Sequence, residues 1–302
     1  MHLRTNRTKW VLFLGSSSEP ENRHIFDLSY GLSCLENNGI KPEDIEIYVD
    51  GANRSNIENL IHIGTTNRYP VRVSQDFFDS AVNNNHDNLV IFFSGHGYHL
   101  GIDAVNPITP HKLLTRLKGT PNLKQSVVFL GQCYAGIFNY IGAGRKPEER
   151  VDAVLIGATG LHTSLSSQTT ETFPNGIDIP WLANVFLLFA FKWFLNPVDI
   201  DGDGRFSIMD CYKFAGCMAN NFNKTCRRNS FEHSISAREK YFQATALVQQ
   251  MQGITGLQPG ELSLKQLELQ SAESIYMQSF DVYHTHQESW ILNSIPAQHI
   301  EF

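Results

Sequence analysis

The chain has 302 residues, a formal net charge of −6, and 42% hydrophobic against 18% charged residues. That length and apolar content suffice to bury a core and exclude a disordered chain. Lys and Arg form no cluster or stripe, which argues against a nucleic-acid partner.

The first ten residues carry charges, but no apolar core with a small-residue cleavage site follows them. Residues 10–14 form a short apolar run closed by Gly15 and three serines, the pattern of a buried strand ending in a loop. Over 23–38, Ile25, Phe26, Leu28, Leu32 and Leu35 keep helical spacing, and Gly39 suits the C-cap. Residues 45–49 read as the next strand, and 75–82 as a short helix with Ser74 at its N-cap. Residues 89–93 and 126–130 read as two further buried strands, with a helix over 111–117 between them. Residues 153–156 read as a fourth apolar strand, and 161–179 as a loop. Residues 181–195 are the longest apolar run; it contains Asn184 and Lys192. It falls short of the roughly 20 residues a spanning helix needs, so a buried helix and no membrane span are expected. Beyond residue 220 glutamine becomes frequent; helices are expected over 237–251 and 263–280, joined by a connector over 253–260. The tail from 281 to 302 has no period, and no element is assigned to it.

Strands alternating with helices imply an α/β fold whose mainly parallel sheet is covered on both faces. Ligands bind such sheets outside the carboxyl ends of the strands. His96 and Cys133 each follow an apolar strand at that end. The five cysteines (Cys34, Cys133, Cys211, Cys217 and Cys226) have irregular spacing and no CxxC pair, so a reducing compartment is expected. A cysteine beside an apolar strand is usually a small buried hydrophobe. A cysteine and a histidine at two successive strand ends, each beside glycine, instead fit a thiol nucleophile with its proton-transfer partner. The Gly97 N–H is unobstructed and suits an oxyanion donor.

The order Trp10-Val-Leu-Phe-Leu-Gly-Ser, Asn22-Arg23-His24, Asn38-Gly-Ile-Lys-Pro, Tyr48-Val-Asp50, Ser94-Gly-His96-Gly97 and Gly131-Gln-Cys133 resembles the caspase–legumain group of cysteine peptidases. Within it the chain looks most like legumain and the catalytic subunit of the glycosylphosphatidylinositol transamidase, over roughly residues 9–190. The resemblance implies a caspase-like three-layer fold, with His96 and Cys133 catalytic and Gly97 in the oxyanion hole. It also implies Arg23 and Asp178 as substrate-binding residues of the S1 pocket. The chain departs from that family at Gly131, where legumain has Glu, and at Glu21, where the family has Asn.

Residues 199–210 fit a second motif, the EF-hand loop. Asp199, Asp201, Asp203, Ser207 and Asp210 occupy positions 1, 3, 5, 9 and 12; Gly204 holds the sharp turn, and Arg205 offers its carbonyl. Three aspartates at alternate positions repel one another without a cation. The alternative is an Asp/Gly-rich turn that binds nothing. Asp210 is shorter than the usual Glu, which weakens bidentate ligation.

The sequence therefore predicts a peptidase domain over 1–195, a Ca2+ loop with its exiting helix over 196–225, and a helical C-terminal extension over 226–302. The expected activity is that of a calcium-binding cysteine endopeptidase acting on a peptide or protein substrate. The alternatives are a peptide transamidase or ligase, and a catalytically weak calcium-binding module retaining the fold. A cytoplasmic location, or export without a classical signal peptide, is expected; nothing in the sequence fixes an oligomeric state.

Overall fold

The computed structural model describes residues 1–79, 84–173, 176–254, 260–284 and 287–302. The end of the helix expected over 75–82, and the middle of the connector over 253–260, lie outside them. In chain order the elements are β1 (Thr8–Leu14), α1 (Asn22–Asn37), β2 (Ile45–Val49), α2 (Arg54–His62), β3 (Val71–Arg72), α3 (Ser74–Asp79) and β4 (Asn88–Ser94). Then come β5 (Gly97–Tyr98), β6 (Gly101–Ile102), α4 (Pro110–Lys118), β7 (Gln125–Leu130), β8 (Asp152–Gly157), β9 (Ser166–Thr172), β10 (Asp178–Asn184) and α5 (Val185–Leu195). The last are α6 (Ile208–Gln252), α7 (Glu261–His284), β11 (Trp290–Leu292) and α8 (Ser294–Ala297).

Seven strands form one sheet in the order β11-β8-β7-β4-β1-β2-β3. All neighbours are parallel except β11, which runs antiparallel to β8. This is the mixed α/β architecture, with a mainly parallel sheet between helices, that the strand–helix alternation predicts. Both faces of each central strand are buried, so alternate residues serve two cores. On one face Val11, Phe13, Ile91, Phe93, Val128 and Leu130 pack with Phe77 of α3 and Leu113 and Leu117 of α4. On the other, the Phe92 ring lies 4.9 Å from Phe129 and 4.7 and 5.4 Å from Phe191 and Phe194 of α5. α1 packs against α5 so closely that a Cβ on Gly31 would lie 2.3 Å from the Phe191 ring. Only glycine allows that approach.

Two segments differ from expectation. Residues 161–179 are not simply a loop: β9 and β10 form an antiparallel hairpin, and α5 starts at Val185 instead of 181. The reason is alternation. Trp181 and Ala183 are buried while Pro180 and Leu182 are exposed, a period of two hidden inside a continuous apolar run. Asn184 ends the strand and caps the helix, its side-chain oxygen accepting the Leu187 N–H at 2.9 Å. Ser74, expected at an N-cap, is itself the first residue of α3, and its N–H donates to Asp50.

The chain divides into two units, residues 1–220 together with 286–302, and residues 221–285. The boundary therefore falls elsewhere than at 226, and the tail belongs to the first unit. There Gln287 donates to the Ala158 carbonyl, the Trp290 indole donates to Thr159, and β11 pairs with β8. The second unit is helical, built from the continuation of α6 and from α7; it buries Ala237, Val248 and Met251 and stacks Tyr241 on Tyr276 at 5.5 Å. Among the described residues no helix is long and apolar enough to cross a membrane.

Candidate active site

β4 and β7 are neighbouring parallel strands with Phe93 opposite Leu130. His96 and Cys133 each lie three residues beyond that pair, so register alone brings both to the same end of the sheet. Gly95, at φ +110°, turns the chain out of β4 in a conformation that glycine adopts freely. The Asp103 N–H donates to the His96 carbonyl at 3.0 Å, tying the turn to the β5–β6 hairpin. The two loops touch: a Cβ on Gly97 would lie 2.2 Å from the Cys133 carbonyl oxygen and 2.4 Å from Gln132 Cγ. Only a hydrogen fits there.

Cys133 is partly exposed, and its sulfur accepts the Ser164 N–H at 3.3 Å. Its loop is clamped by the segment after β8. The Tyr134 N–H donates to the His162 carbonyl at 2.8 Å, and the Gly136 N–H donates to the Gly160 carbonyl at 3.1 Å. Tyr134 adopts a left-handed conformation (φ +55°), a strained placement for a bulky residue. The other cysteines sit differently. Burial pushes the Cys34 thiol up to about 12 and holds Cys211 well above the ordinary thiol range. Burial also raises Cys226, while Cys217 is exposed on α6.

His96 is half exposed and its Nε2 lies 2.7 Å from Glu21 Oε1. The other Glu21 oxygen accepts the Arg23 Nε–H at 2.6 Å. That bond to Arg23 lowers the Glu21 carboxyl to about 2, with burial opposing and His96 adding to the shift. Glu21 is thus an anion at any ordinary pH. In the sequence Glu21 stands out only as a departure from the resembling family; its place two residues before Arg23 is the local sign of the bond between them. Arg23 reaches onward to Ser166 Oγ at 3.1 Å. Beneath it, His24 is buried, with Nδ1 3.4 Å from Ser94 Oγ and its ring 5.0 Å from that of His96.

Asp178 is not brought to Arg23. Ser166, which Arg23 touches, pairs with Asn184 at one end of the hairpin, whereas Asp178 pairs with Thr172 at the other. At about 3.3 Å per residue the two ends are roughly 20 Å apart. Asp178 is exposed and accepts the Thr172 hydroxyl at 2.6 Å.

In the 199–210 loop, oxygens of Asp199, Asp201 and Asp203 converge within 4.8 Å of one another. Both Asp199 oxygens accept backbone N–H groups, from Gly202 and Gly204, and Asp203 accepts that of Arg205. Gly202 and Gly204 both have positive φ, as a loop this tight requires. Asp201 also pairs with Lys213 at 2.7 Å, and that bond lowers its carboxyl. Asp210 and Ser207 bond to each other and to the loop backbone. The Asp210 carboxylate is fully buried and accepts the Ile200 and Ser207 N–H groups and the Ser207 hydroxyl. The Arg205 guanidinium lies 3.7 Å from Glu301.

No protein-family model and no curated protein matches the sequence. Among solved structures, the chain is similar to a secreted C11 cysteine protease from Bacteroides thetaiotaomicron in complex with an irreversible peptide inhibitor. The two are 11% identical with a TM-score of 0.33, over 72% of this chain and 59% of the other. The chain thus spans less than two thirds of that protein's length, and a likeness so distant transfers no residue roles.

Proposed function

We propose that the protein is a cysteine peptidase with Cys133 as nucleophile and His96 as its proton-transfer partner. The observation that carries this reading is the contact of the two strand-end loops, where the Gly97 backbone lies against the Cys133 carbonyl. The Cys133 thiolate attacks the scissile carbonyl carbon and forms a thioester; the C–N bond breaks and His96 gives its proton to the leaving amine. Water, or an acceptor amine in a transamidation, then displaces the thiol. The Gly97 N–H steadies the oxyanion in both steps. Glu21 accepts the His96 N–H, fixes the ring and stabilises the imidazolium that a thiolate partner needs. A carboxylate does this more strongly than the neutral amide of the family that the sequence resembles.

Arg23 supplies positive charge beside the site, partly neutralised by Glu21, and suits a polar P1 side chain such as Asn or Asp. Asp178 has no part in that pocket. The test is an electrophilic peptide probe directed at thiols. It labels Cys133 in the wild type, and labelling falls at least 100-fold in His96→Ala if the pair acts as a unit. Equal labelling in both proteins refutes the reading.

We also propose a Ca2+ site in the 199–210 loop. The converging oxygens of Asp199, Asp201 and Asp203 support it, and the carbonyl of Arg205 would complete the protein donors. Asp210 and Ser207 would hold the loop end in place of direct ligation, and the ammonium of Lys213 competes for Asp201. Three carboxylates, one of them shared with a lysine, suit a weak site filled out by water.

A further inference from the structure

The corner that holds His96 also contains a donor that catalysis does not use, His24. One donor atom each from Glu21, His24 and His96 lies within 4.8 Å of the others. His24 is only 5% exposed and sits on a fixed support. Asp27, also buried, accepts the Trp181 indole N–H and the Asn184 N–H at one oxygen and the Ser94 hydroxyl at the other, 2.9 Å away. The single Ser94 proton is spent on Asp27, so toward His24 the hydroxyl can only accept. His24 therefore carries its proton on Nδ1, which lies 3.4 Å from Ser94 Oγ and 3.8 Å from Asp27. Its Nε2 is left as a lone pair, buried and without a hydrogen-bond partner among the described residues. An unpaired buried acceptor is costly, and a lone pair held this way is a ligand. A histidine anchored on its far nitrogen by a hydroxyl–carboxylate relay is the usual outer support of a metal-binding imidazole.

We infer that Glu21, His24 and His96 form a site for a zinc-class divalent transition ion, and that its occupation withdraws His96 from proton transfer. The second half rests on the peptidase reading; the first does not. Two imidazoles and one carboxylate are the donor set zinc takes in open sites, whereas calcium and magnesium prefer oxygen alone. Zinc–nitrogen bonds of about 2.0–2.1 Å require the donors to close in. Glu21 and His96 are about half exposed and can be repositioned once their mutual hydrogen bond breaks, while His24 is the fixed member. Metal binding displaces the His96–Glu21 hydrogen bond, so the same two side chains either orient the catalytic ring or hold the ion.

The experiment uses the full chain carrying Cys133→Ala, titrated with Zn2+ against a chromophoric chelator and with Co2+ by visible absorption. One equivalent is expected, with cobalt d–d bands and no thiolate charge-transfer band. His24→Leu and the half-exposed Glu21→Gln are each expected to weaken binding by 100-fold or more. Loss of an outer partner alone is worth roughly 10–100-fold. Asp199→Ala/Asp203→Ala leaves zinc binding unchanged. Absence of the equivalent, a thiolate band, or binding that survives both His24→Leu and Glu21→Gln overturns the site. In the wild type, Zn2+ suppresses peptide cleavage and a chelator restores it; bound metal with an unchanged rate overturns the brake. A wild type inactive even after chelation refutes the peptidase reading instead, and the binding arms still decide the site.

Discussion

Replacing Gly97 by alanine tests the proposed catalytic geometry with a single methyl group. The new Cβ would lie 2.2 Å from the Cys133 carbonyl oxygen, 2.4 Å from Gln132 Cγ and 3.0 Å from Gln132 Cβ, where real Cβ contacts essentially never fall below 3.0 Å. The nearest obstacle is backbone, and Gln132 is buried, so neither can swing aside. The His96 and Cys133 loops must part by roughly 1 Å, and a displacement of that size can cost on the order of 100-fold in rate. Overpacking of this kind costs about 1–3 kcal/mol. For a domain of about 150–250 residues that lowers the melting temperature by roughly 2–12 °C. The assay is kcat/KM on a peptide substrate beside a calorimetric melt. The expected result is a protein still folded at 25 °C whose activity is about 100-fold lower. Activity within twofold of wild type would show that the two loops do not meet at the reacting centre, and the proposed pairing would fall with it.

Cys133→Ala should abolish acyl transfer and His96→Ala should nearly do so, while alanine at Cys34, Cys211, Cys217 or Cys226 leaves the chemistry intact; full activity in Cys133→Ala sinks the assignment. Asn184→Ala removes the α5 cap and leaves the Gly131 carbonyl without the amide that reaches it at 2.6 Å. A lost cap and an orphaned carbonyl together cost about 2–4 kcal/mol, measurable by urea unfolding; a loss below 1 would contradict this. Calcium at 100 times its dissociation constant should stabilise the fold by about 2.7 kcal/mol in a melting experiment. Lys213→Ala should tighten calcium binding and Asp199→Ala/Asp203→Ala should remove it; a melt that ignores calcium refutes the site. A peptide-library profile should favour Asn or Asp at P1, and Arg23→Ala should flatten it; dominance of large apolar P1 residues contradicts the pocket.

The central strands were legible because each is a short apolar run closed by a turn, and a strand buried on both faces needs nothing else. β9 was not, since Ser166–Thr172 is polar throughout and its partner's alternation merges into the apolar run of α5. β11 spans only three residues and acquires its identity from β8, on the far side of the inserted helical unit. No local pattern encodes such a pairing. In the candidate site, strand-end placement singled out His96 and Cys133. The contact of Glu21 with His96 spans 75 residues and depends on how the loop after β1 lies over β4. The resemblance places Asp178 in the pocket, but the β9–β10 hairpin carries it to the end opposite Ser166, the residue that Arg23 touches. At Asp210 the motif's position is occupied, but the shorter side chain reaches the backbone of its own loop before it reaches the other aspartates.

The return of the tail to β8 has a consequence for the order of assembly. Gln287, Trp290 and Asn293 bind partners 122 to 141 residues earlier in the chain, and those contacts buttress the segment that clamps the Cys133 loop. On a ribosome, β1 to β8 emerge and can pair while β11 is still to be made. Until then the outer edge of β8 is open, with a row of unpaired backbone groups able to recruit another chain. Closure of so long a loop is entropically slow, though lengthening it further costs only about 0.6 kcal/mol per doubling. The edge and the Cys133 loop should therefore mature last, so the proposed nucleophile would reach its final setting only after synthesis has passed the inserted unit.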